Sequence, residues 1–191
     1  MAMNNDISEY FLIARPGRQV TDKLLQELSF TSSICESRKI ISSPVLSIAS
    51  FFATAGMEET LIRWLQRISG DMKSFIVTLK EYGGLLSHSI YIDVAQRGAF
   101  SIIASHLSPI DEYVRSYNCP PVKFLRQPHM TIASNLTEQE YKQIMLVTTG
   151  KSFNEEFLLS EFSLLRHDAD TASYKQVALL RLQPLNNHVT T

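Results

Sequence analysis

Two short segments of this sequence are alike, and they constrain the fold more than any other feature. SPVLSIAS runs from 43 to 50 and QPHMTIAS from 127 to 134, and both have proline in second place and end in Ile-Ala-Ser. Both show the alternation of apolar and small or polar residues that is typical of a half-buried strand. A chain that contains one strand twice is expected to form two related lobes. The segments differ most at the third position, where Val45 matches His129.

The elements predicted around these segments also repeat. Hydrophobic spacing and turn residues predict strand, helix, strand, helix and two strands, followed by helix, strand, helix and two strands. In that order, residues 15–17 stop the first strand, the glycine pair at 83–84 separates two central strands, and residues 100–117 form a helix with an irregularity at Pro109. The prediction is an α+β fold: two pseudo-repeated lobes, each an antiparallel sheet with helices on its outer face, and a cleft between them.

The composition indicates the class of protein. Of the 191 residues, 45% are hydrophobic and 19% charged, which is ordinary for a soluble globular chain. A net charge of −1 argues against a protein that grips long nucleic acid by neutralising phosphates. Cys35 and Cys119 lack the spacing of a metal site or a disulfide framework, and no segment has the length of a signal peptide or membrane span. We expect a cytoplasmic monomer with reduced thiols, no membrane contact, and one domain over residues 1–191.

Strand alternation predicts which side chains share the cleft. Because successive side chains in a strand point to opposite faces, His129, Thr131 and Ala133 project together from one face of the second segment. By the same rule, Val45, Ser47 and Ala49 share one face of the first segment. We expect both faces to point into the cleft between the lobes.

The motif PHMTIA resembles the His-x-Thr motif of the 2H phosphoesterase superfamily, which includes 2'-5' RNA ligases and cyclic nucleotide phosphodiesterases. The resemblance covers most of the chain. YFLIARPG is similar to the opening strand and turn, PVLSIASFF to the position of the first motif, HSIYIDV to the inner strand, and FSLLRHDADTASYKQVALLRL to the C-terminal pair. It implies a bilobal cleft where two His-x-Thr/Ser motifs face each other. Each histidine would act as acid or base on a phosphodiester, often a 2',3'-cyclic phosphate, without metal or cofactor.

The chemistry explains why such a site uses these residue types. Opening a phosphodiester needs a base to deprotonate the attacking oxygen and an acid to protonate the leaving oxygen. Imidazole suits both roles because its ordinary pKa lies near neutrality. Hydroxyl groups can donate hydrogen bonds to the phosphate oxygens as charge builds in the transition state.

This sequence departs from the family pattern at the first histidine. Val45 cannot transfer a proton, so His129 is the one acid or base that the motifs retain, while Thr131 and Ser47 remain as hydrogen-bond donors to phosphate. Loss of one proton-transfer group typically lowers the rate by about 10²–10⁴-fold. We predict that His129, Thr131 and Ser47 form a catalytic site of reduced or altered activity.

Three other residues are expected to contact substrate: Tyr91, Arg126 and His167. Tyr91 lies on the cleft face of its strand, and its phenol can donate a hydrogen bond. Arg126 precedes the intact motif and can pair with phosphate, and His167 stands at a strand end near the cleft mouth. His88 alternates with Ile90, which places it on the covered face and ranks it below His167 as a substitute for the missing histidine.

Simpler interpretations stay open. The alternatives are that His129 is a strand histidine satisfied by a backbone carbonyl, that Thr131 and Ser47 are ordinary strand residues with locally bonded hydroxyls, that Arg126 is a solvated charge, and that Tyr91 is an amphipathic strand residue. The functional alternatives are an enzyme of reduced activity, a non-catalytic module that binds a nucleotide or RNA end, and a structural protein whose cleft is closed by apolar side chains. The expected partner is a small phosphodiester, a nucleotide or a short RNA end.

Overall fold

The computed structural model describes residues 7–34, 44–86, 88–125, 127–168 and 171–185. Its elements alternate along the chain, with one short 3₁₀ turn at Ala55–Met57. They are β1 (Ile7–Ala14), α1 (Arg18–Ile34), β2 (Leu46–Thr54), α2 (Glu58–Gly70), β3 (Phe75–Leu85), β4 (Ser89–Val94), α3 (Arg97–His106), α4 (Ser108–Ser116), β5 (Lys123–Phe124), β6 (His129–Ala133), α5 (Glu138–Thr148), β7 (Asn154–Leu159), β8 (Glu161–Asp168) and β9 (Ser173–Arg181).

The strands form two antiparallel sheets. The first sheet has the strand order β5-β2-β1-β8-β9 and the second β6-β4-β3-β7. Helices α2, α3 and α4 contact the first sheet, and α1 and α5 contact the second. The prediction of a bilobal α+β fold with helices outside two antiparallel sheets is confirmed. The lobes are not the two halves of the chain, because β8 and β9 return from the C-terminal end to pair beside β1.

Local sequence explains how several helices begin. Thr137 accepts a hydrogen bond from the backbone N–H of Glu140, and the Glu140 carboxylate accepts one from the backbone N–H of Thr137, so a capping box is present at α5. The helix predicted over residues 100–117 is two helices that meet at Leu107. Pro109 lies in the first turn of α4, where its missing N–H has no intrahelical partner to lose.

Two predicted strand boundaries are wrong. The glycine pair at 83–84 does not separate strands, because β3 continues through it to Leu85 and β4 begins at Ser89. The run FLLSEFSLLRH, whose hydrophobic pattern predicts the first of the two final strands, is divided between β7 and β8. Ser160 is where the backbone leaves the second sheet for the first.

A polar network marks the helix-covered face of the first sheet. Tyr10 on β1 and Arg166 on β8 are cross-strand neighbours, and both donate a hydrogen bond of 2.9 Å to the carboxylate of Glu58 at the start of α2. Burial and the neighbouring carboxylate raise the pKa of Tyr10 to about 12, so its phenol stays protonated and donates at neutral pH. The residues that alternate with Tyr10 and Arg166 therefore point away from the helices, to the side that we call the open face of this sheet.

The composition also gave expectations for the two cysteines and for membrane-spanning helices. Cys119 is a free, buried thiol whose pKa is raised by burial, and Cys35 lies outside the described residues. Of the helices that the described ranges contain, none is long and apolar enough to cross a membrane.

Candidate functional site

The first motif strand contains a β-bulge. Leu12 on β1 pairs with Ala49 on β2, but the next residue, Ile13, pairs with Ser47, so Ile48 is an extra residue in β2. An extra residue restarts the alternation of side chains, which re-aims everything beyond it.

The second motif strand has the same bulge at the matching place. On β4, Ile90 pairs with Ala133 of β6, and the next residue, Tyr91, pairs with Thr131, so Ile132 is the extra residue. The two bulges fall on the isoleucine of Ser-Ile-Ala and of Thr-Ile-Ala. The likeness of the two segments is therefore a likeness of backbone geometry as well as of sequence.

The bulge corrects one prediction about the cleft face. Ala49 was expected to share a face with Ser47, but Ala49 is 5% exposed and packs with Leu12 and Phe51 against the helices. Ser47 is exposed on the open face. The physical reason is that the extra residue turns Ala49 over to the covered face while Ser47 stays on the open face, and the matching bulge turns over Ala133, 7% exposed, in the same way.

His129 is the first residue of β6 and is half-buried. Its Nδ1 lies 2.8 Å from the carbonyl oxygen of Gln127. Because a carbonyl oxygen can only accept, Nδ1 carries the proton in this pair, and Nε2 of a neutral ring keeps its lone pair. Within the described ranges no group hydrogen-bonds to Nε2. The simpler interpretation, a histidine satisfied by a backbone carbonyl, thus describes Nδ1. Nε2 has a lone pair that can accept a proton.

Tyr91 lies against the imidazole. The two ring centroids are 4.7 Å apart at an interplanar angle of 46°. Gly83 makes this position possible, because a Cβ there would lie 2.5 Å from Cε2 and Cζ of the Tyr91 ring. The phenol ring therefore packs against the β3 backbone at Gly83 and against the His129 imidazole. Thr131, opposite Tyr91, is half-buried on the same face.

The two motif strands are neighbours in space. Backbone positions of β2 and β6 approach within 8 Å of each other. The short strand β5 holds them together, since it pairs with β2 at Ala49 and Ser50, and the backbone N–H of Leu125 then donates to the Ile48 carbonyl at 3.0 Å. Four residues later the same segment begins β6, so His129 lies at most about 14 Å from Leu125 along the backbone.

The remaining predicted residues are placed differently. Val45 immediately precedes β2 and is half-buried. His167 lies on the open face of the first sheet, beside Tyr174. His88 was predicted on the covered face, which is wrong: it precedes β4 in a turn, exposed, with Nδ1 3.2 Å from the Leu136 carbonyl. Arg126 lies outside the described residues.

Asp93 is a neighbour of His129 that the sequence interpretation missed. The two residues are direct cross-strand partners on the same face. One carboxylate oxygen of Asp93 accepts a 2.6 Å hydrogen bond from the Arg97 guanidinium, and the other accepts from the backbone N–H of Val94. A carboxylate beside an anion site repels the anion, and Arg97 neutralises this one. Asp93 follows Tyr91 by two residues, so strand alternation could have placed it on the same face.

Arg15 is the second missed residue. It was interpreted only as part of a turn, but its guanidinium lies on the open face and donates to Ser163 Oγ at 2.9 Å and to Gln176 Oε1 at 3.3 Å. Both partners are neutral, and no carboxylate of the described segments lies within ion-pair distance of Arg15. Arg15 follows Ile13 by two residues, so strand alternation could have placed both side chains on the same face. A guanidinium without a counter-ion is suited to bind an anion.

The described residues contain no group of three His, Cys, Asp or Glu side chains arranged to hold a metal ion.

Comparisons with known proteins bear on the fold. No family model matches the sequence, and no curated protein matches it. Among solved structures, E. coli LigT in complex with 3'-AMP has a TM-score of 0.69 at 18% identity, over 93% of this chain and 99% of that chain. TT0787 of Thermus thermophilus has a TM-score of 0.64 at 12% identity, over 93% and 100%. The MHV ns2 PDE domain has a TM-score of 0.54 at 16% identity, over 91% and 99%. The chain therefore has the fold of the 2H phosphoesterases, as the resemblance of its motifs implied.

Proposed function

We propose that the cleft acts on, or binds, a small phosphodiester, with His129 as acid or base and with Thr131 and Ser47 as donors to the phosphate oxygens. The observation that carries this proposal is the state of the imidazole. Its Nδ1 is fixed by the Gln127 carbonyl and its ring rests on Tyr91, while Nε2 is available on the face that also bears Thr131. Similar structures have been determined with 3'-AMP, phosphate and ATP, which supports a small phosphate-bearing ligand.

The geometry supports one proton transfer by the protein. As a neutral ring, His129 accepts the proton of an attacking water or hydroxyl at Nε2, and the resulting imidazolium can later return that proton. Hydroxyl groups of Thr131 and Ser47 donate to the non-bridging oxygens, on which negative charge grows as the bond to the leaving oxygen breaks. Val45 supplies no second proton donor, so water protonates the leaving oxygen, and the rate is lower by about 10²–10⁴-fold than with two imidazoles.

The proposed binding residues have separate tasks. Tyr91 holds the imidazole in place and presents its phenol to the cleft, and Arg126 offers a positive charge next to the motif. His167 lies further along the open face of the first sheet, where it contacts the part of the ligand that is remote from the reacting phosphate.

Turnover of 2',3'-cyclic nucleotides tests the enzymatic form of the proposal. His129→Ala should reduce kcat by about 10²–10⁴-fold, because the general acid–base group is removed. His88→Ala is the matched control: it removes an exposed histidine whose Nδ1 also contacts a backbone carbonyl, in the same lobe but at the opposite end of the β4–β6 pair from His129. Equal rates for wild type and His129→Ala, or turnover by neither, would exclude catalysis by this site.

The replacement of one histidine by Val45 favours a second candidate, a binding module without turnover. Ser47 is exposed and His129 and Thr131 are only half-buried, which supports a cleft that a ligand can enter. In this case the affinity for 3'-AMP persists in His129→Ala, modestly weakened, and falls as salt is added. Calorimetry that detects no affinity for 3'-AMP or inorganic phosphate would eliminate this candidate.

A further inference from the structure

A cavity lies on the helix side of the first sheet, where α2 and α4 meet. Its volume is about 270 Å³, and it is lined by Trp64, Arg67, Ile68 and Pro109. Ligand pockets are mostly apolar, contain a few polar groups that fix the orientation of the ligand, and have volumes from about 300 Å³ upward. This cavity is close to the small end of that range and has the same balance, with three apolar side chains and one charged side chain.

The spacing along α2 places three of the four side chains on one surface. Residues three and four apart are neighbours on a helix, so Arg67 and Ile68 both lie beside Trp64. On the opposite side, Pro109 lies in the first turn of α4, and Tyr113 follows one turn later. The Tyr113 ring contacts the indole of Trp64, with 5.0 Å between ring centroids. The indole is therefore held between the two helices.

Trp64 is not covered by the protein. Its side chain is 40% exposed, whereas Leu61 and Leu65 on the same helix are fully buried. Indole is the largest apolar side chain, and removing apolar surface from water is favourable in proportion to its area. A ligand that packs against the exposed part of this ring thus gains binding free energy without a rearrangement of the core.

Arg67 supplies the charge in the cavity. Within the described ranges, no carboxylate lies at ion-pair distance from its guanidinium. Arg63, one turn earlier on α2, differs because it pairs with Glu59 at 3.7 Å. A cation in the last turn of α2 also interacts favourably with the helix dipole, but that interaction uses none of the five N–H donors of Arg67. The guanidinium can therefore bind a carboxylate through two parallel hydrogen bonds.

We propose that this cavity binds a small carboxylic acid that carries one aromatic or alicyclic ring. The ring packs against Trp64, Ile68 and Pro109, and the carboxylate pairs with Arg67. The volume fits a single ring with a short acid-bearing chain, whereas a helix of a partner protein has a diameter of about 10–12 Å. The site does not depend on the proposed function, because it lies among the helices of the first sheet and His129 begins a strand of the second.

The fluorescence of Trp64 tests the proposal, because this is the only tryptophan in the chain. The probe is 3-phenylpropionate, and excitation at the red edge of tryptophan absorption leaves the tyrosines dark. Binding displaces water from the indole, so the emission should move to shorter wavelength and saturate, with a Kd of about 1 mM or tighter. The isosteric 3-phenylpropionamide should bind about 2- to 5-fold more weakly, the scale of an exposed ion pair. Acetate, which has the charge and no ring, should cause no shift.

Arg67→Gln is the decisive variant. Acid and amide should bind to it with equal affinity, because the charge that distinguishes them is absent, and this loss of preference is the coupling between Arg67 and the carboxylate. Arg63→Gln is the matched control: it makes the same change on the same helix, at an arginine that pairs with Glu59 and does not line the cavity. The preference for the acid should remain as in wild type.

Four results would overturn the inference. They are the absence of an emission shift at probe concentrations well above the expected Kd, equal affinity of acid and amide in wild type, a shift with acetate alone, and loss of the preference in Arg63→Gln. A shift caused by raising the protein concentration without probe would assign the cavity to a second copy of this chain and would also overturn it. The affinity for 3'-AMP is measured separately, so failure here leaves the proposed function as it was.

Discussion

Val45 and His129 hold equivalent positions in the two motif strands. The residues opposite them on the partner strands also differ in chemistry. His129 lies opposite Asp93. In the first lobe the last pair is Ala14 with Leu46, and one further step in the antiparallel register brings Arg15 opposite Val45. The second lobe thus pairs an imidazole with a carboxylate, and the first pairs an aliphatic side chain with a guanidinium.

This difference separates the scaffold from the chemistry. Both strands keep the bulge after the Ser or Thr, so both present a hydroxyl outward and an alanine inward. The residue two places before that hydroxyl can change without disturbing the backbone, because it lies at the start of the strand. One lobe retains a group that transfers protons, and the other retains only groups that bind anions.

The largest expected effect comes from making the two strands chemically alike. Val45→His places a second imidazole at the matching position, and kcat on 2',3'-cyclic AMP should rise by about 10²–10⁴-fold. The gain is expected because the new imidazole supplies the proton that water otherwise gives to the leaving oxygen.

Val45→Asn is the control for polarity without proton transfer. It should give no comparable gain in kcat. A flat response to Val45→His, or an equal gain with Val45→Asn, would contradict the equivalence of the two strands.

The sequence predicts the residues before each bulge better than those after it, for a physical reason. Alternation is a local property, so it placed His129, Thr131 and Tyr91 on one face. A bulge is decided by hydrogen bonds to a partner strand, and no residue in either segment indicates it. Ala49 and Ala133 were therefore both assigned to the wrong face.

The predictions for the glycine pair at 83–84 and for His88 failed for a similar reason. The glycines at 83 and 84 have the composition of a turn, yet they serve tertiary packing: Tyr91 lies on one face of Gly83, and Tyr141 of α5 lies on the other side against Gly84. His88 alternates correctly with the strand that follows, but β4 begins only at Ser89. Both errors come from contacts that are distant in sequence, which a local pattern does not contain.

A smaller effect is expected from that glycine pair, and it distinguishes site from scaffold. Gly83→Ala forces the Tyr91 ring away from the β3 backbone, and Gly84→Ala forces Tyr141 away on the helix side. Overpacking of this kind typically lowers the free energy of unfolding by about 1–3 kcal/mol, so thermal melting should show a reduced Tm in both variants.

Only Gly83→Ala should also reduce turnover or 3'-AMP affinity, because only Tyr91 supports His129. If the two variants lose the same activity at the same loss of Tm, the support of the imidazole by Tyr91 is not specific to the site.

The smallest effect concerns the charges opposite the motif residues. Arg97 neutralises Asp93, so Arg97→Ala leaves a carboxylate facing the phosphate and should weaken 3'-AMP binding by about 2- to 5-fold, the scale of an exposed ion pair. Arg63→Ala breaks a similar exposed pair, with Glu59 on α2, and should leave the affinity unchanged. Asp93→Asn combined with Arg97→Ala should recover wild-type affinity, because the repelling charge is then absent. If the double variant binds as weakly as Arg97→Ala, Arg97 contacts the ligand itself. The second lobe would then use a guanidinium as the first lobe uses Arg15, and the two sites would differ only in their proton-transfer group.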